Sequence, residues 1–295
     1  MNFNEHLRLA NEKAEAGVHA LNTANYQQAV DSFLEASELF KDIKGQEQNY
    51  AKCLVNKAKA FLALGDYEKA KSLLLDEAIP FQEKTLGAES VDIANSFDCL
   101  SDVYRKLENY EKAIEFSHKA LTIQKRMLGI EHTDVANSLN NLAKAYQKLD
   151  EYEKAKEYHE EALAIRKKIL GIEHPDVATS LNNLALIYHL HNNDYQRAIE
   201  LFKESLSIRQ KVLEEEHPDV ASSLNNLGNI YKDIGDYEQA ITHLEKALTI
   251  REKRLGEKHP DVAKTLMNLS KVYQTVGDTR KEREFFKKAN ASRTK

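Results

Sequence analysis

The 295-residue chain carries 42 Lys and Arg against 47 Asp and Glu, a formal net charge of −5, and holds only 10 Gly and 4 Pro. Turns consume Gly and Pro, so sandwiches and barrels of many short strands are excluded, as are collagen-like and Pro-rich disordered chains. No apolar run approaches the roughly 18 residues of a membrane helix, residues 1–17 show no signal-peptide core, and Cys53 and Cys99 make no disulfide framework, so a reducing cytoplasm is the expected location.

In chain order, the first marker is a Tyr three residues before an Ala: Tyr26/Ala29, Tyr67/Ala70, Tyr110/Ala113, Tyr152/Ala155, Tyr195/Ala198 and Tyr237/Ala240. From the third copy onward a second marker joins it. Tyr104, Tyr146, Tyr188, Tyr231 and Tyr273 lie 42, 42, 43 and 42 residues apart, the extra residue falling in the turn that follows His189. A third marker, His-Pro-Asp-Val-Ala, stands at His174, His217 and His259, with Thr133 in place of Pro after His132. Self-similarity at this period predicts a repeat array. Seven units are expected, at about 1–45, 46–87, 88–129, 130–171, 172–214, 215–256 and 257–295, forming a single solenoid over 1–295 with no linker.

Each unit reads as two helices. In the fourth, Val135, Leu139, Leu142, Ala143 and Tyr146 recur at helical spacing, Leu149 to Glu151 make the turn, and Tyr152, Ala155, Ala162, Leu163 and Ile169 give a second apolar stripe. One such hairpin cannot bury both stripes, so neighbours must stack. The His-x-Asp pairs sit one per repeat and do not converge, which favours helix capping over metal or acid–base chemistry. Ser90, a favoured cap residue, fills the matching slot of the third unit, Pro suits the first helical turn, and Asp just inside complements the helix dipole. His189 and His191 read as a solvated turn, Cys53 and Cys99 as buried thiols. No phosphate loop, metal set or nucleophile–base pair is found, so no enzyme activity and no cofactor are expected.

Helix pairs with Leu-Ala or Leu-Gly, Tyr, then Tyr-x-x-Ala resemble tetratricopeptide repeats, with a period of 42 in place of the usual ~34. Residues 170–185 and 213–228 are similar to the repeats of kinesin light chains, although the long acidic heptad segment of those proteins is missing. The resemblance implies an all-α, right-handed superhelical solenoid of about seven helix pairs, with the first helices lining a concave groove. The last stretch, Arg280 to Lys295, carries seven Lys or Arg and two Glu, as a polar capping helix would.

Asn140/Asn141, Asn182/Asn183 and Asn225/Asn226 fall inside first helices, with Asn56 and Asn268 as single copies, although Asn is a poor interior helix former. An amide both donates and accepts, so these residues are expected to bond an extended peptide, the neighbouring repeat, or both. The same face carries Lys52, Lys59, Arg105, Lys144, Lys232, Lys264 and Lys271 against Glu15, Asp98 and Asp102. A basic groove in an acidic protein predicts an acidic peptide partner. Lys52, Asn56 and Lys59 resemble the Lys/Asn clamp by which some tetratricopeptide proteins hold a C-terminal carboxylate, while the matching slots of the first unit hold Ala14, Glu15 and Val18. The expected function is a non-catalytic adaptor. The alternative is a self-associating scaffold or regulatory subunit that uses the solenoid ends or convex face. The acidic balance argues against nucleic acid, and no membrane partner is expected; the sequence leaves the oligomeric state open.

Overall fold

The structure is a computed structural model that describes residues 3–191 and 193–292. Asn192, in the turn after His189, and residues 293–295 of the predicted capping stretch lie outside them. Among the described residues every regular element is helical. The chain divides into two compact units, Met1–Ala162 and Leu163–Lys295, with the division inside one helix, α9 (Tyr152–Leu170).

The first unit contains α1 (Phe3–Asn22), α2 (Tyr26–Lys41), α3 (Glu47–Leu64), α4 (Tyr67–Ser72), α5 (Ile79–Leu86), α6 (Val91–Lys106), α7 (Tyr110–Leu128) and α8 (Thr133–Lys148). Between α4 and α5 the rod is continuous through a π-helical turn, Leu73–Ala78. Pro80 stands two residues beyond it. Its missing N–H and its ring disfavour ordinary α-helical bonding to the preceding turn, and a wider turn relieves that conflict. The second unit contains α10 (Pro175–Leu190), α11 (Tyr195–Val212), α12 (Pro218–Asp233), α13 (Tyr237–Leu255), α14 (Pro260–Val276) and α15 (Thr279–Ala291).

In two hairpins a glycine on the first helix faces a large side chain on the second. Gly17 meets Phe33 and Gly228 meets Leu244; a Cβ at either glycine would stand 2.8 Å or 2.6 Å from those side chains. Glycine in a helix interior costs about 1 kcal/mol relative to Ala, and this contact is the reason it is kept. The repeating tyrosines close the other end of the hairpin. Tyr104 stacks on Phe116, Tyr146 on Tyr158 and Tyr273 on Phe285, at centroid distances of 5.4, 5.6 and 5.5 Å. Lys112, Lys154 and Lys281 lie over the same tyrosine faces at 5.2, 5.0 and 4.7 Å, a cation–π arrangement. Among the described residues, each hairpin turn holds one at positive φ: Ala24, Gly65, Glu108, Asp150, Asn193, Gly235 and Gly277.

The His-x-Asp motif is a cap, as its sequence position implies. Nδ1 of His132, His174, His217 and His259 each accepts from the backbone N–H of the Asp two residues on, at 3.1 Å. Ser90 Oγ accepts from Ile93 N in the same role. The expectation for His189 is corrected. It lies in α10, only 6% exposed, with Nε2 2.8 Å from Asp233 Oδ2 at the end of α12.

Successive repeats are joined by a polar bridge that the sequence reading does not identify. From the second repeat to the sixth, a buried Gln or Arg near the end of the second helix reaches into the first turns of the next first helix. Gln82 donates to Asp92 O and accepts from Ser96 Oγ (3.3 and 2.7 Å). Arg166 donates to Asp176 O and Ser180 Oγ, Arg209 to Asp219 O and Ser223 Oγ, and Arg251 to Asp261 O and Thr265 Oγ1, with distances from 2.6 to 3.2 Å. Burial pushes these guanidinium pKa values down, and the nearby Asp carboxylates offset only part of that shift. Arg209→Ala should lower unfolding stability by about 2–3 kcal/mol, because buried acceptors lose their donor. Arg209→Gln should lose less than half as much, since Gln fills this role at position 82. Urea unfolding of the three proteins checks the order; equal losses for Ala and Gln would contradict the bridge.

Candidate functional site

The predicted site residues sit on first helices in both units, and packing sorts them. In the second unit the amides bond one another. Asn226 Nδ2 donates to Asn182 Oδ1 at 2.9 Å, and Asn268 Nδ2 donates to Asn225 Oδ1 at 3.2 Å. The second Asn of one repeat thus meets the first Asn of the repeat before it. Asn225 is 2% exposed, and Asn140 in the first unit is 5% exposed; both lie inside the stack and not on an open face. Asn56, Asn141, Asn182, Asn183, Asn226 and Asn268 are half-buried.

The cations divide similarly. Arg105 is held by Asp102 at 2.5 Å and Lys232 by Asp233 at 3.0 Å. Lys144 is half-buried on α8. Lys52 and Lys59 in the first unit, and Lys264 and Lys271 in the second, are exposed, and no ion pair reaches them among the described residues. In the first unit α1, α2 and α3 surround a cleft of about 440 Å³ that brings Lys52 and Asn56 together with Ala14, Glu15 and Val18.

Asp98, counted above among the acidic groups of the face, has another role. Its carboxyl forms a triangle with Gln124 of α7 and Ser138 of α8. Gln124 Nε2 lies 2.8 Å and Ser138 Oγ 2.6 Å from Asp98 Oδ2, and Ser138 Oγ lies 2.6 Å from Gln124 Oε1. Ser138 Oγ also lies 2.8 Å from Asp98 Oδ1, so its one hydroxyl proton is shared among three acceptors. A proton on Asp98 lets the carboxyl donate to Ser138 while Ser138 donates to Gln124 Oε1. Burial pushes its pKa up to about 7, and Asp102 and Asp134 add repulsion, against the lowering effect of the Ser138 and Gln124 bonds.

This carboxyl binds its proton more tightly folded than unfolded, so its contribution to stability is present at low pH and is lost as pH rises from about 4 to 7. Asp98→Asn supplies an N–H permanently. Thermal unfolding at pH 5.5 and pH 8 should show the parent losing stability at the higher pH, and the variant a few degrees more stable than the parent at pH 8. A variant no more stable at pH 8, with an unchanged pH slope, would contradict a protonated Asp98.

Sequence reasoning missed the bridging Gln and Arg residues, the His189–Asp233 contact and the apolar floor of the α1–α3 cleft. The bridging residues had a signal: positions 82, 124, 166, 209 and 251 keep the period of the tyrosines.

The tetratricopeptide-repeat family model matches residues 92–168, 134–211, 176–253 and 219–295, and a second model of that repeat matches residues 51–76. Among solved structures, BtubC (BKLC) from P. vanneervenii is similar at 27% identity and a TM-score of 0.63, over 84% of this chain and 92% of that one. The nearly identical TPR-like repeats of a Podospora anserina kinesin light chain are similar at 29% identity and a TM-score of 0.58, over 69% of this chain and 96% of that one. A Rap protein complexed with competence and sporulation factor shares the fold, at 14% identity and a TM-score of 0.72, over 95% of this chain and 73% of that one. No curated protein matches the chain significantly.

Proposed function

The chain belongs to the tetratricopeptide-repeat family, and on that premise we propose that it is a non-catalytic adaptor that holds an extended, acidic peptide segment of a partner on the faces of its first helices. The observation that carries this reading is the set of exposed lysines, Lys52, Lys59, Lys264 and Lys271, without ion-pair partners among the described residues and on the same helices as half-buried Asn amides. A cation left without an internal partner in a chain of net charge −5 attracts anions selectively to its own face and speeds encounter. Asn side chains beside it can pair with peptide N–H and C=O groups whatever the peptide side chains are. The Asn–Asn bonds of the second unit and peptide contact are compatible, because each amide has more than one donor or acceptor site.

No helix among the described residues is long and apolar enough to cross a membrane, and no group of three or more metal-ligating side chains is found among them. The Rap protein cited above was solved with its competence and sporulation factor, which is consistent with peptide capture by a chain of this fold.

Lys264→Glu/Lys271→Glu leaves every described hydrogen bond in place, and therefore tests binding without disturbing the stack. On arrays of 12-residue peptides, Asp- and Glu-rich members should be retained over neutral ones by the parent. The double variant should lose at least ten-fold of that affinity in the second unit's share of the binding, with unchanged far-UV circular dichroism. Equal retention of acidic, neutral and basic peptides by the parent would overturn the reading.

A further inference from the structure

α15 and α1 each turn outward a face that the other repeats cover, and the two faces carry opposite charge. The repeat fixes which side chains stand there. On second helices one slot holds Leu121, Leu163, Leu206 and Leu248. Leu206 packs against the cluster that Val220, Ala221 and Leu224 of the next first helix form with Ala247. Three residues before Leu248, Glu245 accepts from the Tyr273 hydroxyl of the next first helix at 3.2 Å. In α15 these two slots hold Asn290 and Lys287, and Arg283 lies one turn before Lys287. All three are exposed and have no hydrogen-bond or ion-pair partner among the described residues. Phe286 is 47% exposed at a position where Phe202 and Leu244 are fully buried. α15 as a whole bears Arg280, Lys281, Arg283, Lys287 and Lys288 against Glu282 and Glu284, and Glu284 is already bonded to Lys288.

α1 shows the opposite sign. Counting back from Tyr26, Glu12 stands at the slot of the bridge acceptors Ser96, Ser138 and Ser223. Glu15 stands at the slot of Asn226, which reaches the preceding repeat through Asn182. Ala16 replaces the leucines buried at positions 100, 142 and 227. Glu12, Glu15 and Ala16 are all exposed. The two cations of α1 are engaged, Arg8 by Glu12 and Lys13 by Glu35. Its remaining ionisable groups are Glu5, His6 and His19, and the imidazoles add positive charge only when protonated. Lys52 of α3 lines the same cleft as Glu15.

A cap needs polar residues in these slots, but it does not need one end cationic and the other anionic. We propose that the chain associates head to tail, with α15 of one copy docking on α1 of another in the manner of an internal junction. Arg283 and Lys287 are then set against Glu12 and Glu15, and Phe286 is covered. This inference stands apart from the peptide-adaptor reading. Copies of a chain with net charge −5 repel one another as wholes, and faces of opposite sign orient their encounter. The contact is heterologous, so association continues into a ring or an open chain. Its ion pairs are screened by salt and individually weak, so assembly is reversible.

The test uses the full chain with no peptide present. Analytical ultracentrifugation from micromolar to near-millimolar protein should show a mass that rises with concentration at low salt and falls back at high salt. Glu12→Lys/Glu15→Lys and Arg283→Glu/Lys287→Glu should each weaken association by about ten-fold or more, with unchanged far-UV circular dichroism. Mixed together, the two variants should form a one-to-one pair that grows no further, because only one complementary contact remains between them. The variant with all four changes should regain self-association, since the sign is exchanged on both faces; that recovery also separates docking from misfolding. A parent that stays monomeric over the whole range would overturn the proposal. So would association that either pair of substitutions leaves undisturbed, or a four-fold variant that stays monomeric. A monomeric parent that binds phosphatidylserine vesicles through Arg283 and Lys287 would assign the α15 face to a lipid surface and would also overturn it. Peptide capture is read separately on the arrays, so the two readings fail independently.

Discussion

A polar side chain buried in a stack of helices has no water to turn to, and its partners must come from a neighbouring turn of protein. Five junctions in this chain meet that demand with one geometry. A Gln or Arg near the end of a second helix reaches a hydroxyl-bearing residue 14 positions on, in the next first helix. Four of these hydroxyls, on Ser96, Ser138, Ser180 and Ser223, are fully buried, as is that of Thr265. A helix that slid along its neighbour would leave both ends of the bridge unpaired, at a penalty of about 1–3 kcal/mol for each group. Apolar packing alone tolerates such sliding better, because Leu, Ile and Val contacts are not directional. The bridges therefore set register, while the Ala-lined stripes and the Tyr stacks supply the burial.

That division of labour explains why the first-helix faces are available for binding. Inside the hairpins, the tyrosine stacks of three and the small-to-large contacts of two hold the paired helices together without using the outward amides and lysines. Between hairpins, the bridge and the His or Ser caps hold the helix starts. The polar groups left on the open face have few internal duties, and Asn11, Glu15, Asn22, Lys52 and Asn56 of the α1–α3 cleft have none among the described residues. The proposed binding face would be prepared by folding, without rearrangement of the helices.

The fold was largely legible in the sequence because its signals are periodic and local. Tyr and Ala spacing gave the helix pairs, His-x-Asp gave the helix starts, and the scarce Gly and Pro marked turns. The misses share a cause. Arg166, Arg209 and Arg251 look solvated when read one at a time, and only the path of the next helix shows that they are covered. His189 follows the same logic: the extra residue nearby suggested a loop, yet the ring is enclosed by Tyr195, Phe202 and Asp233. For the Asn pairs, poor helix propensity marked the right positions. Which member of a pair turns inward depends on the angle between neighbouring helices, and that is not written in one helix. Asp98 read only as one of the acidic groups of the first-helix face, and its buried hydrogen bonds became visible only when Gln124 and Ser138 stood within reach.

The bridges also bear on how such a chain can change length. Arg166, Arg209 and Arg251 meet equivalent partners in the repeat that follows each of them. Joining the helix that carries Arg166 directly to Pro218 would remove one repeat and still offer Arg166 a carbonyl and a serine hydroxyl in the same register. The junction at Gln124 is not interchangeable in this way. An arginine placed there would face Asp98 and draw off its proton, converting a neutral triangle into an ion pair at the heart of the first unit. Whole repeats can thus be gained or lost among the later junctions without stranding a polar group, whereas Asp98 ties its own junction to a neutral neighbour.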